Sequence, residues 1–305
     1  MRLVFMGTPD FAAVSLRALI EANHDVCAVF TQPDKPVGRR QTMTSPPVKE
    51  LAMEHGLPVY QPNTLKDGEA AKIIAALSPD VIVVVAYGKL IPKEILTLAP
   101  YGCINVHGSV LPQYRGAAPI QWSVIRGERF GGVSTMRLDE GMDTGPVLLC
   151  EKTEILPNET AGELYARLSP IGAQLLLRTL DGLVDGTVSE HPQEQDLASY
   201  APMLSKEMAR LDFTKDAESL CHLIAGLNPW PVAFAFFEGK RLKVYRARLC
   251  EGDGEPGQLL SDKRLTVACT TGALELLEVA LEGSRTCSGE EFARGHRGLL
   301  GLKLS

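Results

Sequence analysis

The sequence has no long hydrophobic run, no Cys-x-x-Cys spacing, no internal repeat and no net positive charge, and each absence removes a class of protein. The opening apolar stretch breaks at Gly7-Thr8-Pro9, well short of a signal-peptide core or a membrane span, which points to a cytoplasmic protein with no membrane partner. The seven cysteines, at 27, 103, 150, 221, 250, 269 and 287, are odd in number and scattered. That pattern argues against a disulfide framework and against a zinc site, so no metal is expected. No Gly-x-Gly-x-x-Gly follows the first apolar run, which disfavours a dinucleotide-dependent oxidoreductase. The net charge of −6 is not that of a simple nucleic-acid binder, but it is unevenly spread. Residues 205–305 hold 14 Lys+Arg and 14 Asp+Glu, so all the net negative charge falls in residues 1–204.

What is present is enough for two domains. The chain has 305 residues, 45% hydrophobic and 22% charged, proportions that let each domain bury its own core, and no obligate protein partner is evident. Residues 1–6 read as a buried strand and the polar-capped stretch from Pro9 to Glu21 as a helix; Val26 to Phe30 and Pro79 to Ala86 are further apolar strands, with a helix over Val48 to His55 between them. This alternation implies an α/β domain with a Rossmann-like parallel sheet, over residues 1–189. Its ligands belong beyond the C-terminal ends of the strands, near Ala86-Tyr87-Gly88-Lys89 and after Cys103-Ile104-Asn105-Val106-His107. A long helix is expected over Ala161 to Asp185. Residues 190–204 lack an apolar period and read as a linker. Beyond it, a helix from Ala217 and short alternating stretches separated by Gly and Asp predict a small, OB-like β-barrel over 205–305.

Asn105 and His107 stand two apart at a strand end, and the period of two puts both on one face. An amide donor beside an imidazole suits acyl transfer, where negative charge develops on a carbonyl oxygen and a proton must be moved. Asp143, in the glycine-containing loop 139–146, could orient the imidazole. Each of the three also has a plain structural reading: strand-end polar residues and a turn aspartate. Arg115 and Gly116 read alone as a surface turn.

The string from Gly102 to Gln121, GCINVHGSVLPQYRGAAPIQ, together with GMDTGP at 141–146, resembles the folate-dependent formyltransferases. That resemblance implies Asn105, His107 and Asp143 as the catalytic centre and 10-formyltetrahydrofolate as the formyl donor. It further implies folate contacts at Ser109, Val110, Leu111 and Pro112, and at Val85, Tyr87, Gly88 and Leu90. Two departures from the family pattern occur: Val110 replaces a usual Leu, and Pro146 stands where Asp is common in members that act on methionyl-tRNA.

The shared centre does not choose the acceptor. The segments at 5–12, 29–36 and 45–49, Leu204-Ser205-Lys206-Glu207 and Asn228-Pro229-Trp230-Pro231 are similar to family members that formylate methionyl initiator tRNA for translation initiation. By that similarity the loop from Asp34 to Lys49 enters the acceptor stem with Arg39 or Arg40 as the contact, although two lysines usual in the family are absent here. Lys240, Arg241, Lys243, Arg246 and Arg248 cluster in nine residues, which on a small barrel suits a nucleic-acid backbone as readily as it suits a solvated strand face. The resemblance tips this toward tRNA. Amino-sugar formyltransferases are the nearest alternative, and a tRNA-binding module without catalysis is the alternative from another class.

Overall fold

Val81–Val85 is a run of five β-branched residues with no polar side, and it forms a strand buried along its whole length. This strand, β6, lies at the middle of a seven-stranded sheet in a computed structural model that describes residues 1–38 and 41–305. Arg39 and Arg40 lie outside the described residues.

The elements in chain order are β1 (Arg2–Gly7), α1 (Asp10–Glu21), β2 (Asp25–Phe30), a hairpin of β3 (Lys35–Val37) and β4 (Thr42–Thr44), α2 (Pro47–Glu54), β5 (Val59–Tyr60) and α3 (Glu69–Leu77). Then come β6, α4 (Lys93–Leu96), β7 (Cys103–His107), β8 (Arg115–Gly116), α5 (Pro119–Ile125), β9 (Phe130–Arg137), β10 (Val147–Glu154) and α6 (Ala161–Asp185). The remainder is β11 (Tyr200–Ala201), α7 (Ala217–Gly226), β12 (Ala233–Phe237), β13 (Lys240–Cys250), β14 (Thr266–Ala268), β15 (Ala273–Leu281), β16 (Cys287–Ser288) and α8 (Gly289–Gly295).

The large sheet runs β10-β9-β7-β6-β1-β2-β5. The five strands from β7 to β5 are mutually parallel, as their buried apolar runs require, and β9 joins β7 antiparallel. The parallel register sets Gly7 beside Val85 and Val85 beside Val106, so the loops that follow these strands leave from one edge. The second sheet is antiparallel, in the order β12-β13-β15-β14 with β16 on β15. With α7 and α8 it encloses a separate core that includes Leu220, Ile224, Leu242, Val244, Leu274, Leu276 and Phe292.

Two compact units divide the chain. One takes residues 1–116, 132–152 and 165–200; the other takes 117–131, 153–164 and 201–305. A single cut near residue 190 therefore differs from the contacts, and the cause is helix packing. Gly226 on α7 meets α5 so closely that a Cβ there would collide with Ile125 Cγ1 and lie 3.0 Å from Gln121 O. Ala118, Trp122 and Ile125 join the core of the second unit, and Gly162 N donates to Asn228 O at 3.0 Å.

Candidate active site

Asn105 and His107 are both more than nine-tenths buried at the end of β7, where they pair in register with Met136 and Ser134 of β9. A strand end inside a sheet gives these side chains little freedom. His107 Nε2 lies 2.9 Å from Tyr114 O. A carbonyl oxygen only accepts, so Nε2 carries the hydrogen and Nδ1 is the nitrogen free to exchange a proton. Nδ1 faces Asp143 Oδ2 at 3.7 Å. The Asn105 side-chain amide makes no hydrogen bond among the described residues. Its polar atoms are not among the fully enclosed ones that lack a partner, so the amide keeps an opening to solvent through which a reactant can meet it.

Asp143 reaches this position through an unusual backbone. Its φ is +53°, a left-handed conformation that aspartate tolerates better than most residues. Its Oδ2 accepts the Gly116 N–H at 2.8 Å. Gly145, two residues on, has no room for a side chain: a Cβ would collide with Arg137 O. The loop is tied further by Asp139, whose Oδ1 accepts from Thr144 Oγ1 at 2.7 Å and from Gly141 N at 3.0 Å. Pro146 contributes its carbonyl, which accepts from Arg137 N at 3.0 Å.

The segment after His107 is also fixed. Ser109 Oγ donates to Gln113 O at 2.6 Å, and Ser134 Oγ donates to Ser109 O at 2.7 Å while accepting from Leu111 N at 3.1 Å. Ser109 and Leu111 are buried, whereas Val110 and Pro112 are half-buried. At the end of β6, Val85 and Tyr87 bury their side chains and Gly88 and Leu90 are exposed. Tyr87 packs into the sheet core, its hydroxyl has no hydrogen-bond partner among the described residues, and burial pushes its pKa up to about 12. Tyr87 O accepts from Thr8 Oγ1 at 3.1 Å and Gln32 Nε2 at 3.0 Å. Val85 and Tyr87 are therefore enclosed by the fold, backbone included, while Gly88 and Leu90 present open surface.

The linker reading of residues 190–204 missed residues that reach this site. Arg115, which resembles a surface turn in isolation, is buried and donates to Gln193 Oε1 and Gln195 Oε1. Ser199 Oγ accepts from Tyr114 N at 2.9 Å. No apolar period marks such residues; only the Arg-Gly of the 102–121 string hinted at them.

The basic segments divide. At the base of the β3–β4 hairpin, Asp34 accepts from Gln61 at 2.7 Å and from Lys49 at 2.7 and 2.9 Å, and these bonds hold its pKa below the usual carboxylate range. On β13, Arg246 is engaged by Glu163 at 2.5 Å and Glu278 at 3.7 Å, and Arg248 by the buried Glu275 at 2.7 Å. The Arg246 guanidinium, with help from the Thr160 N–H, drives Glu163 down to about 2. Arg241 instead lies over the Phe234 ring at 4.4 Å, and Arg210 over Phe236 at 5.6 Å. Lys240 and Lys243 are exposed and have no ion-pair partner among the described residues.

Known proteins resemble the chain along its whole length. Residues 1–180 match the family described as formyl transferase, and residues 203–297 match the formyl transferase C-terminal domain. Similar proteins include a methionyl-tRNA formyltransferase of Lachnospira eligens, 46% identical over 313 residues and covering 100% of this chain and 99% of the relative. Another from Geotalea daltonii is 47% identical over 306 residues, covering 100% and 98%. Among solved structures, an N-formyltransferase from Helicobacter canadensis in complex with folinic acid and dTDP-3-aminofucose has a TM-score of 0.70 at 17% identity, covering 90% of this chain and 98% of that one. At that identity the likeness is one of fold.

Proposed function

The chain belongs to the formyl transferase family, and on that premise we propose that it transfers a formyl group from 10-formyltetrahydrofolate to the amino group of methionyl initiator tRNA. The relatives that it matches along its whole length at 46–47% identity are named methionyl-tRNA formyltransferase, which supports this reading. The observation that carries the chemistry is the arrangement at the end of β7: His107 with Nε2 committed to Tyr114 O, Nδ1 turned to Asp143, and an uncommitted Asn105 amide in the same strand.

The amine attacks the formyl carbon, a C–N bond forms, and negative charge builds on the formyl oxygen. Asn105 donates its amide hydrogen to that oxygen, and such a donor acts most strongly in a buried setting that excludes water. His107 Nδ1 takes the proton lost by the amine, with the Asp143 carboxylate facing it, and the folate nitrogen leaves with a proton as the C–N bond to the donor breaks. Ser109 to Pro112, with Gly88 and Leu90, contact the folate; the neutral, hydrogen-bonded loop suits a planar ring better than a charged one would.

Lys240, Arg241 and Lys243 hold the tRNA backbone, joined by Phe234 and Phe236 as half-buried aromatic surfaces under Arg241 and Arg210. Arg246 and Arg248 are engaged largely in ion pairs and contribute less. Arg39 or Arg40 positions the acceptor end. Among the described residues no helix is long and apolar enough to cross a membrane, and the proposed reaction belongs with translation in the cytoplasm.

Transfer of labelled formyl from 10-formyltetrahydrofolate to methionyl initiator tRNA tests this reading, against elongator methionyl-tRNA and amino-sugar nucleotides. Initiator tRNA is expected to be the preferred acceptor. Transfer to the sugar nucleotide alone would overturn the assignment.

A further inference from the structure

Gln193 lies in the stretch whose aperiodic sequence reads as linker, yet both polar atoms of its side chain are fully used. Its Nε2 donates to Asp143 O at 2.9 Å and to Gly145 O at 2.7 Å. Its Oε1 accepts from Arg115 Nε at 3.0 Å and Nη2 at 2.8 Å. The chemistry of the partners fixes which atom is which. A guanidinium only donates, so oxygen must face it, and carbonyls only accept, so nitrogen must face them.

We infer that Gln193 is a positioning residue for formyl transfer, holding the Asp143 loop so that the carboxylate stays against His107. The inference rests on the reading of Asp143 as part of the reacting centre. The two carbonyls on either side of Thr144 converge on one amide nitrogen, which pins a backbone that includes the left-handed Asp143. Such a conformation persists only where the surroundings over-determine it. Arg115 strengthens the hold. Its guanidinium is buried among the neutral amides of Gln193 and Gln195, and a charge-assisted bond at Oε1 polarises the amide into a better donor at Nε2. The next residue, Gly116, donates its own N–H to Asp143 Oδ2. Adjacent residues of β8 therefore grip both ends of Asp143: the carboxylate directly, and the backbone carbonyl through Gln193.

The test separates this role from mere satisfaction of Arg115. In Gln193→Glu the side chain still accepts from Arg115, now as an ion pair, but loses both donations to the loop; Gln193→Ala loses everything. Turnover and KM for both substrates would be measured for each variant, for Asp143→Asn, and for the double variant Asp143→Asn with Gln193→Glu, with thermal unfolding alongside. We expect Gln193→Glu to unfold near the wild-type temperature and to lose about 10- to 100-fold in kcat, with each KM changed less than about 2-fold, because a misplacement near 1 Å costs on that order. In the Asp143→Asn background the same change should cost less than about 2-fold more. Wild-type kcat in Gln193→Glu would overturn the inference, leaving Gln193 as a partner for Arg115 only. So would an undiminished loss in the Asp143→Asn background, since the residue would then act by another route. Wild-type kcat in Asp143→Asn beside an impaired Gln193→Glu would instead overturn the reading of Asp143, and the inference with it.

Discussion

The end of β7 and the strand β13 both carry polar residues at short spacing, and the fold treats them differently. Asn105 and His107 sit inside a sheet, where strand period and burial leave few conformations, and backbone groups fix both the His107 ring, through Tyr114 O, and the Asp143 carboxylate that faces it, through Gly116 N. The five cations of β13 sit on a surface strand, and other side chains sort them. Glu163, Glu275 and Glu278 claim Arg246 and Arg248, while Phe234 takes Arg241 and the two lysines stay exposed. A buried constellation keeps the placement that its strand period sets, whereas a surface cluster keeps only the charge that its neighbours leave unpaired.

The sharpest way to break this comparison is at β7. Asn105→Ala should lower turnover by roughly 100- to 1000-fold, the usual loss for one donor to a developing oxyanion, and His107→Ala by roughly 100- to 10,000-fold, the usual loss for a general base, while folate still binds. Single-turnover formylation and equilibrium folate binding measure this, and near-normal turnover in either folded variant removes that residue from the mechanism. At β13 the expected effects are smaller and differ between pairs. Replacing Arg241 and Lys243 with alanine should weaken tRNA binding and flatten its salt dependence by about 1 in slope for each phosphate no longer neutralised. Replacing Arg246 and Arg248 with glutamine should change the slope less, since those charges are already paired. Equal slopes for the two double variants would show that the ion pairs open on binding, and the distinction between the two pairs of cations would fall.

The smallest effect concerns Glu163. Its pKa in the folded chain is lowered to about 2 from an ordinary 4.5, chiefly by Arg246. A depressed carboxylate stabilises the fold fully above the unfolded value and ceases to do so as pH falls through the folded one. The difference in unfolding temperature between wild type and Glu163→Gln should therefore hold steady from pH 7 to about 5 and shrink as pH falls below about 4.5. The pair is half-exposed, so solvent screening keeps the difference small. A difference that persists unchanged down to about pH 2 would show that the ion pair is not its source.

Much of the architecture is legible in local sequence. The buried run of β6 and the apolar register of β7 and α6 announce themselves by period alone, because a strand or helix is stabilised by faces that repeat every two or 3.6 residues. That Asp143 faces His107 is less open to such reading, since a turn aspartate looks the same whether or not it faces a histidine; only the string at 102–121 together with GMDTGP at 141–146 singled it out. The division of residues 117–131 and 153–164 from the rest of the first two hundred residues was not legible at all. It depends on α5 meeting α7, a contact between segments nearly a hundred residues apart.

By itself, then, the sequence determined the parallel sheet, the strand that carries Asn105 and His107, and the presence of a second β-rich region, because each follows from the alternation of side chains within a few residues of one another. Only the tertiary structure decided that Gln193 and Arg115 would hold the Asp143 loop, and which arginines of β13 would be neutralised. Those outcomes are hydrogen bonds and ion pairs between polar residues 27 to 83 positions apart, and a polar side chain carries no mark in its local sequence of the partner that folding will bring to it.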